Sequence, residues 1–357
     1  MKKQLLLFCG VALIGCSNSN IIANELSDKS DIESDYEWDG YPIPVNIEDN
    51  KVEGFSGGET QKLLFIKSLM KDSEEWRLNL QSDDFNYKFE ASNKLTEFAS
   101  KWRNYYHSKW SGPAPTIWQY DHISVSDGCL QIRTTRPEKV ETKKTTSGNV
   151  TKDIPATYSG CISSLALVKY PVYVEARAKI ANSTMASDVW MLSPDATQEI
   201  DIIEAYGSDR IKGDNGRTFY GPDRIHLSHH VFIRKPFSDY QPQGLGTWYK
   251  DVKGTIWRND FHRVGVYWKD PYHLEYYVDG KLVRTVKGKD IIDPKNYTAG
   301  TGLAKGMNII INMEDQSWRA VAGMSPTKEE LKNCQNNAFI VDWVRVYNLV
   351  DKCNKKH

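Results

Sequence analysis

Residues 197–207, Thr-Gln-Glu-Ile-Asp-Ile-Ile-Glu-Ala-Tyr-Gly, constrain this chain more than any other stretch. Ile200, Ile202 and Ile203 favour a β-strand. Alternate residues of a strand share a face, so Glu199 and Asp201 point the same way. Glu204 is an odd step from both and points to the opposite face. A β-bulge at Ile202–Ile203 adds one residue and returns Glu204 to the carboxylate side, with its apolar neighbours toward a core. Three acids on one strand face repel each other, and a purely structural strand gains nothing from that. Glycosidic bond hydrolysis uses such a set: one carboxylate attacks, one donates a proton and the third tunes the pair.

The rest of the chain supplies strands to surround it. In Tyr173–Ile180, Val174, Ala176, Ala178 and Ile180 fall on one face and Tyr173, Glu175, Arg177 and Lys179 on the other. Val189–Leu192, His262–Trp268, Met307–Met313 and Phe339–Tyr347 read as further strands. His273–Val278 turns at Asp279-Gly280 into Lys281–Val286, a strong hairpin signal. Many strands and almost no helical periodicity predict an all-β sandwich of two antiparallel sheets. The Lys- and Thr-rich stretch Lys139–Asp153 is expected to be a solvated loop, and residues 61–72 a short helix.

Arg224–Arg234 is the second informative strand. Ile225, Leu227, His229, Val231 and Ile233 share one face, and His226, Ser228, His230, Phe232 and Arg234 the other. The second face offers donors, acceptors and a ring, a plausible floor for a polyhydroxylated ligand. Zinc is a weaker reading, since no third ligand stands at a diagnostic spacing. The 11 Trp and 19 Tyr suit a carbohydrate surface, although aromatics also fill β cores. A formal net charge of zero argues against nucleic acid as a partner.

The N-terminus reads as a processing signal. Met1-Lys2-Lys3 is basic, Leu5–Ile14 is apolar but too short to span a bilayer, and Leu13-Ile14-Gly15-Cys16 follows. This pattern resembles a bacterial lipoprotein signal, which places a lipid anchor on Cys16 and exports the protein to the outer membrane, cell surface or periplasm. An ordinary cleaved secretory signal is the alternative. The expected organisation is a signal at 1–16, a polar tether at 17–38, a catalytic domain at 39–350 and a polar tail at 351–357. Cys129, Cys161, Cys334 and Cys353 lack a metal-site pattern, and their pairing stays open.

From about Trp38 to Tyr347 the chain is similar to the β-agarases of glycoside hydrolase family 16. The 197–204 strand matches that family's bulged catalytic signature. The agarase-like stretches are Glu204–Arg210, His226–Pro242, Tyr267–Pro271 and Val341–Tyr347, with two tryptophans in family spacing at Trp102 and Trp110. The resemblance implies a concanavalin-like β-jelly roll with a concave substrate cleft. It implies an endo-acting, retaining hydrolase of β-1,4 galactosidic bonds in agarose, a red-algal galactan; the chain is expected to act as a monomer. By position, Glu199 is the nucleophile, Glu204 the acid/base and Asp201 the helper. Trp110 and Trp190 match sugar-stacking positions; His226, His230, Arg234 and Glu314 match substrate-binding ones. Asp342 matches a ligand of a structural Ca2+ on the convex side. Ionised Glu199 and Asp201 are expected to raise the pKa of Glu204 and keep it protonated.

Residues 53–73 look inserted relative to shorter agarases, and the Lys139–Asp153 loop looks longer; either could wall the cleft. Two alternatives remain: a porphyranase or mixed-substrate relative, for which Arg210 and Arg224 are candidate sulfate-binding cations, and a non-catalytic glycan-binding lipoprotein. A laminarinase fits the His226–Pro242 stretch less well.

Overall fold

The computed structural model describes residues 69–92, 97–139, 141–333 and 337–352. The signal, Cys16, the tether, Cys334, Cys353 and most of the 53–73 and 61–72 stretches lie outside the described residues.

Two antiparallel sheets stack on each other. The cleft-bearing sheet runs, in spatial order, Ser238–Tyr240, Ile225–Ile233, Gln198–Ala205, Ala186–Leu192, Met307–Glu314, Cys161–Val168 and Trp102–Arg103. The outer sheet runs Lys281–Lys287, His273–Val278, His262–Asp270, Val172–Lys179, Ala338–Asp351, Cys129–Thr135, Ile123–Ser126 and Phe89–Glu90. Alternation builds the core between them. Val174 and Ala176 from the outer sheet meet Val189, Met191, Ile200, Ile202, Leu227, Val231, Ile309 and Ile311 from the other in one buried cluster. This is the expected jelly-roll sandwich, with strand ends within a few residues of those read from alternation.

The bulge lies where parity requires it. Across from the Ala186–Leu192 strand, Val189 pairs with Ile203 and Trp190 with Asp201, which leaves Ile202 as the extra residue. On the other side, Ser228 pairs with Asp201 and His226 with Glu204, so three steps on one strand oppose two on its neighbour. Glu199, Asp201 and Glu204 therefore line one cleft, while Ile200 and Ile202 are fully buried behind it.

The Lys139–Asp153 stretch corrects an expectation: it contains most of a hairpin, Thr142–Ser147 paired with Val150–Pro155, not a loop. Its threonines suit a strand, and Gly148, at φ 57°, supplies the turn. One face is anchored, since Ile154 packs on Ala320 and Val321 of the segment that carries Trp318. The hairpin contributes no residue to the cleft wall.

The outer sheet's far face is covered as well. Trp76, on the Glu74–Leu78 strand, packs with Tyr173, Tyr267, Tyr277 and Tyr347. Ring pairs Trp76–Tyr267 and Tyr173–Tyr277 meet edge to face at 5.3 and 5.8 Å. Tyr173 and Glu175, which alternation assigns to the outward face, are buried for this reason.

Candidate active site

The cleft has a volume of about 800 Å³ and crosses the inner sheet. Register sets its floor in rows. Asn312, Asp188, Glu204 and His226 are successive cross-strand partners over four strands, and Leu192, Glu199 and His230 form a second row over three. The bulge thus does more than turn one side chain: it brings Glu204 into line with Asp188 and His226.

Around Glu199, His230 Nε2 stands 3.7 Å from both Glu199 and Asp201. Its Nδ1 contacts Asp239 at 2.9 Å. Burial opposes charge on this imidazole, but Glu199, Asp239 and Asp201 outweigh it and hold its pKa up at about 10. His230 is therefore an imidazolium that donates to Asp239 and faces the two acids. Glu199, Asp201 and His230 are the described grouping whose atoms lie close enough to hold a metal ion. The protonated ring already places a cation there, so the grouping reads as a charge-balanced acid pair. Burial raises the pKa of both Glu199 and Asp201, while His230 works against it. The two carboxyls also act on each other: the charge of Asp201 raises Glu199, and a hydrogen bond with Glu199 works to lower Asp201.

Around Glu204 the contacts are of another kind. Oε2 lies 2.5 Å from His226 Nδ1. Oε1 meets the Tyr206 hydroxyl at 2.5 Å and the Gln316 amide nitrogen at 3.3 Å. The Tyr206 hydroxyl also reaches Gln316 Oε1, which accepts the Trp318 indole N–H at 2.7 Å. An indole can only donate, so the Gln316 oxygen is fixed and its NH2 faces Glu204. Burial raises the Glu204 pKa, but His226, Tyr206 and Gln316 overcome it and hold the group at about 2. This corrects the expectation that neighbouring carboxylates keep Glu204 protonated. Those acids are present, but the hydrogen-bonded imidazole is nearer.

Deeper in the floor, Asn312 accepts the Trp190 indole N–H at 2.7 Å and donates to Asp188 at 3.1 Å. Trp190 is thereby oriented, with one flank against Tyr106. Trp110 meets Trp118 edge to face and closes the same aromatic wall. Burial, with Glu204 and other acids adding to it, lifts the Glu314 carboxyl to about 8. The shift favours the neutral, hydrogen-bond-donating form of Glu314.

Most sequence-predicted residues meet in this one cleft: Trp110, Trp190, Glu199, Asp201, Glu204, His226, His230, Arg234 and Glu314. Two predicted residues have protein partners of their own. His226 has both ring nitrogens hydrogen-bonded to protein, to Glu204 and to Thr247 Oγ1. Asp342 lies on the outer sheet, where the Arg177 guanidinium binds its carboxylate. No described grouping of three metal-binding side chains includes it.

Neither candidate sulfate-binding cation lines the cleft. Arg210 is held by Glu330 and by the carbonyls of Gly323 and Ser325. Arg224 lies over the Tyr220 ring. Trp102 is a core residue, stacked on Phe85 and donating to Asp83.

Sequence reasoning missed Asp188, Tyr206, Arg217, Asp239, Trp248, Gln316 and Trp318. Tyr206 carried a usable signal, since it follows Glu204 by two in the same strand period. Arg217 sits over Phe219 and Trp318, with its guanidinium 4.8 and 5.4 Å from the ring centroids. No described carboxylate lies within ion-pair distance of it.

Comparison with known proteins adds the following. Residues 76–349 match the family described as "Beta-porphyranase A-D, GH16 domain". A β-agarase of Phocaeicola plebeius is 59% identical over 351 residues, covering 98% of this chain and 99% of that one. β-Agarase B of Zobellia galactanivorans is 43% identical over 385 residues, covering 97% and 98%. The crystal structure of an inactivated β-agarase B with agaro-octaose superposes with a TM-score of 0.71 at 47% identity, covering 79% of this chain and 96% of that one.

Proposed function

Since the chain belongs to glycoside hydrolase family 16, we propose that it is an endo-acting β-agarase that cleaves β-1,4 galactosidic bonds of agarose. The observation that carries the reading is the bulged strand, which places Glu199, Asp201 and Glu204 on one cleft face beside Trp110 and Trp190. Near-full-length identity to a β-agarase supplies the sugar.

The chemistry follows from the contacts. Glu199 attacks the anomeric carbon. The Glu204 side protonates the departing oxygen as its bond to carbon breaks. A glycosyl ester on Glu199 results, and water activated by Glu204 releases it from the opposite face, so configuration is retained. His230 and Arg234 balance the charge around the nucleophile.

Glu199→Gln or Glu204→Gln is expected to lower kcat on agarose by more than 10³-fold with the fold unchanged. Near-normal turnover by either variant would overturn the assignment. Retention is checked by ¹H NMR of the first products: the β-anomer is expected before mutarotation, and an α-anomer would exclude double displacement.

One observation favours a second reading, in which the galactan carries acidic groups. Arg217 presents a cation at the cleft wall, and the matching family bears the porphyranase description. We also propose export and lipid anchoring through Cys16, supported by the N-terminal pattern. Radiolabelled palmitate is expected in the native protein and lost in Cys16→Ala; equal labelling of the two would refute the anchor.

A further inference from the structure

We infer that His226 and Glu204 hold the acid proton jointly, and that in the free enzyme this proton rests on His226 Nδ1. The inference builds on the hydrolase reading above and adds a positioning residue to it.

The argument starts at Thr247. Its hydroxyl has one hydrogen, which it donates to the Gly244 carbonyl at 2.9 Å. Towards His226 Nε2, 3.1 Å away, the same oxygen can then only accept. Nε2 therefore carries a hydrogen. The neutral form of that tautomer leaves Nδ1 as a lone pair, 2.5 Å from Glu204 Oε2. A lone pair facing an ionised carboxylate at that distance is repulsive, so one proton must lie between them. It is either on Glu204, with a neutral ring, or on Nδ1, with an imidazolium.

The surroundings decide between these. Gln316 donates to Glu204 Oε1, and the single Tyr206 hydrogen lies between that oxygen and Gln316 Oε1, which already accepts from Trp318; both contacts favour the carboxylate. Trp248 stacks on His226, with ring centroids 4.3 Å apart and an interplanar angle of 25°, and an indole face favours a cation. Asp201, on the same strand, also acts on the ring and favours its charge. Asp188 faces Glu204 across the neighbouring strand and Glu314 lies one strand further; burial raises the pKa of both, which limits the negative charge they add. Arg319, packed on Tyr206 from the Ser317–Ala320 helix, is the nearby fixed cation and favours an ionised Glu204.

The proton balance is simple. As the glycosidic C–O bond breaks, the proton leaves Nδ1 for the Glu204 carboxyl and goes from there to the departing oxygen, which keeps the bonding electron pair. His226 is left neutral with Nε2–H intact. When water attacks the glycosyl ester, its proton returns through Glu204 to Nδ1. The acid is thus supplied by an imidazole, whose ordinary pKa is about 2 units above that of a carboxyl. This reconciles a Glu204 held near 2 with its duty as a proton donor.

The test uses the intact catalytic chain. In ¹⁵N NMR at pH 6, His226 is expected to show both ring nitrogens protonated in the native protein and only Nε2 protonated in Glu204→Gln. A bare Nδ1 in the native protein would overturn the inference. In His226→Asn, the alkaline limb of kcat/KM on soluble agaro-oligosaccharides is expected about 1–2 pH units lower. Its kcat at pH 7 is expected to drop about 10²-fold, with most of the loss recovered on an agaro-oligosaccharyl fluoride, whose leaving group needs little protonation. Thr247→Val is the milder variant and moves the limb the same way by less. An unmoved limb in both variants would also overturn it. Full activity of Glu204→Gln on agarose would instead sink the hydrolase reading, and the native NMR result stands apart from that outcome.

Discussion

At the residue scale, what matters is which partner each charged group has. Arg234 and Arg217 both line the cleft over aromatic rings, but Arg234 sits in the field of Glu199 and Asp239 while Arg217 faces no described carboxylate. Arg217→Ala is therefore expected to leave kcat/KM on neutral agarose within about twofold, and to lower it severalfold on a galactan bearing sulfate esters. Equal losses on both substrates, measured as initial rates, would make Arg217 a structural support for Trp318. The three acids were legible because parity and propensity act between neighbours. Alternation places His226 on the cleft face for the same reason. It could not show that the partners of His226 are Glu204 and Thr247, because that depends on how a later turn folds back over the strand. Arg210 illustrates the same limit: an arginine in an agarase-like stretch, spent on Glu330, 120 positions away.

At the scale of elements, the bulge and the hairpin show opposite degrees of legibility. The bulge was forced, since no regular strand places all three acids together. The hairpin was hidden, because Lys-rich strands with one buried face look like solvated chain. Only Thr145 and Ile154 of its two strands are buried. Its consequence for the cleft is indirect: Ile154 supports Ala320 and Val321, and that segment presents Trp318. Ile154→Ala is expected to cost about 2 kcal/mol of stability, at the low end for an aliphatic truncation because the cluster is small. KM on agaro-oligosaccharides is expected to rise about threefold with kcat nearly unchanged. Denaturant unfolding and steady-state kinetics check the two effects, and an unchanged KM would detach the hairpin from substrate binding.

At the scale of the whole molecule, the sandwich was legible from strand count and alternation, and the two faces were not. Alternation predicts one buried side per strand, yet Tyr173 and Glu175 are buried on the nominally outward side. The cover is Trp76 and its strand, which pairs with the far end of Ala338–Asp351. Nothing local to Tyr173 announces a strand almost a hundred positions earlier. That strand also has a bearing on how the enzyme meets its polymer. It enters the fold through the outer sheet, and the cleft opens from the other one. The described chain thus begins on the side of the sandwich away from the cleft, which leaves the cutting face clear of its own leading strand for a polymer that arrives as a bulky gel.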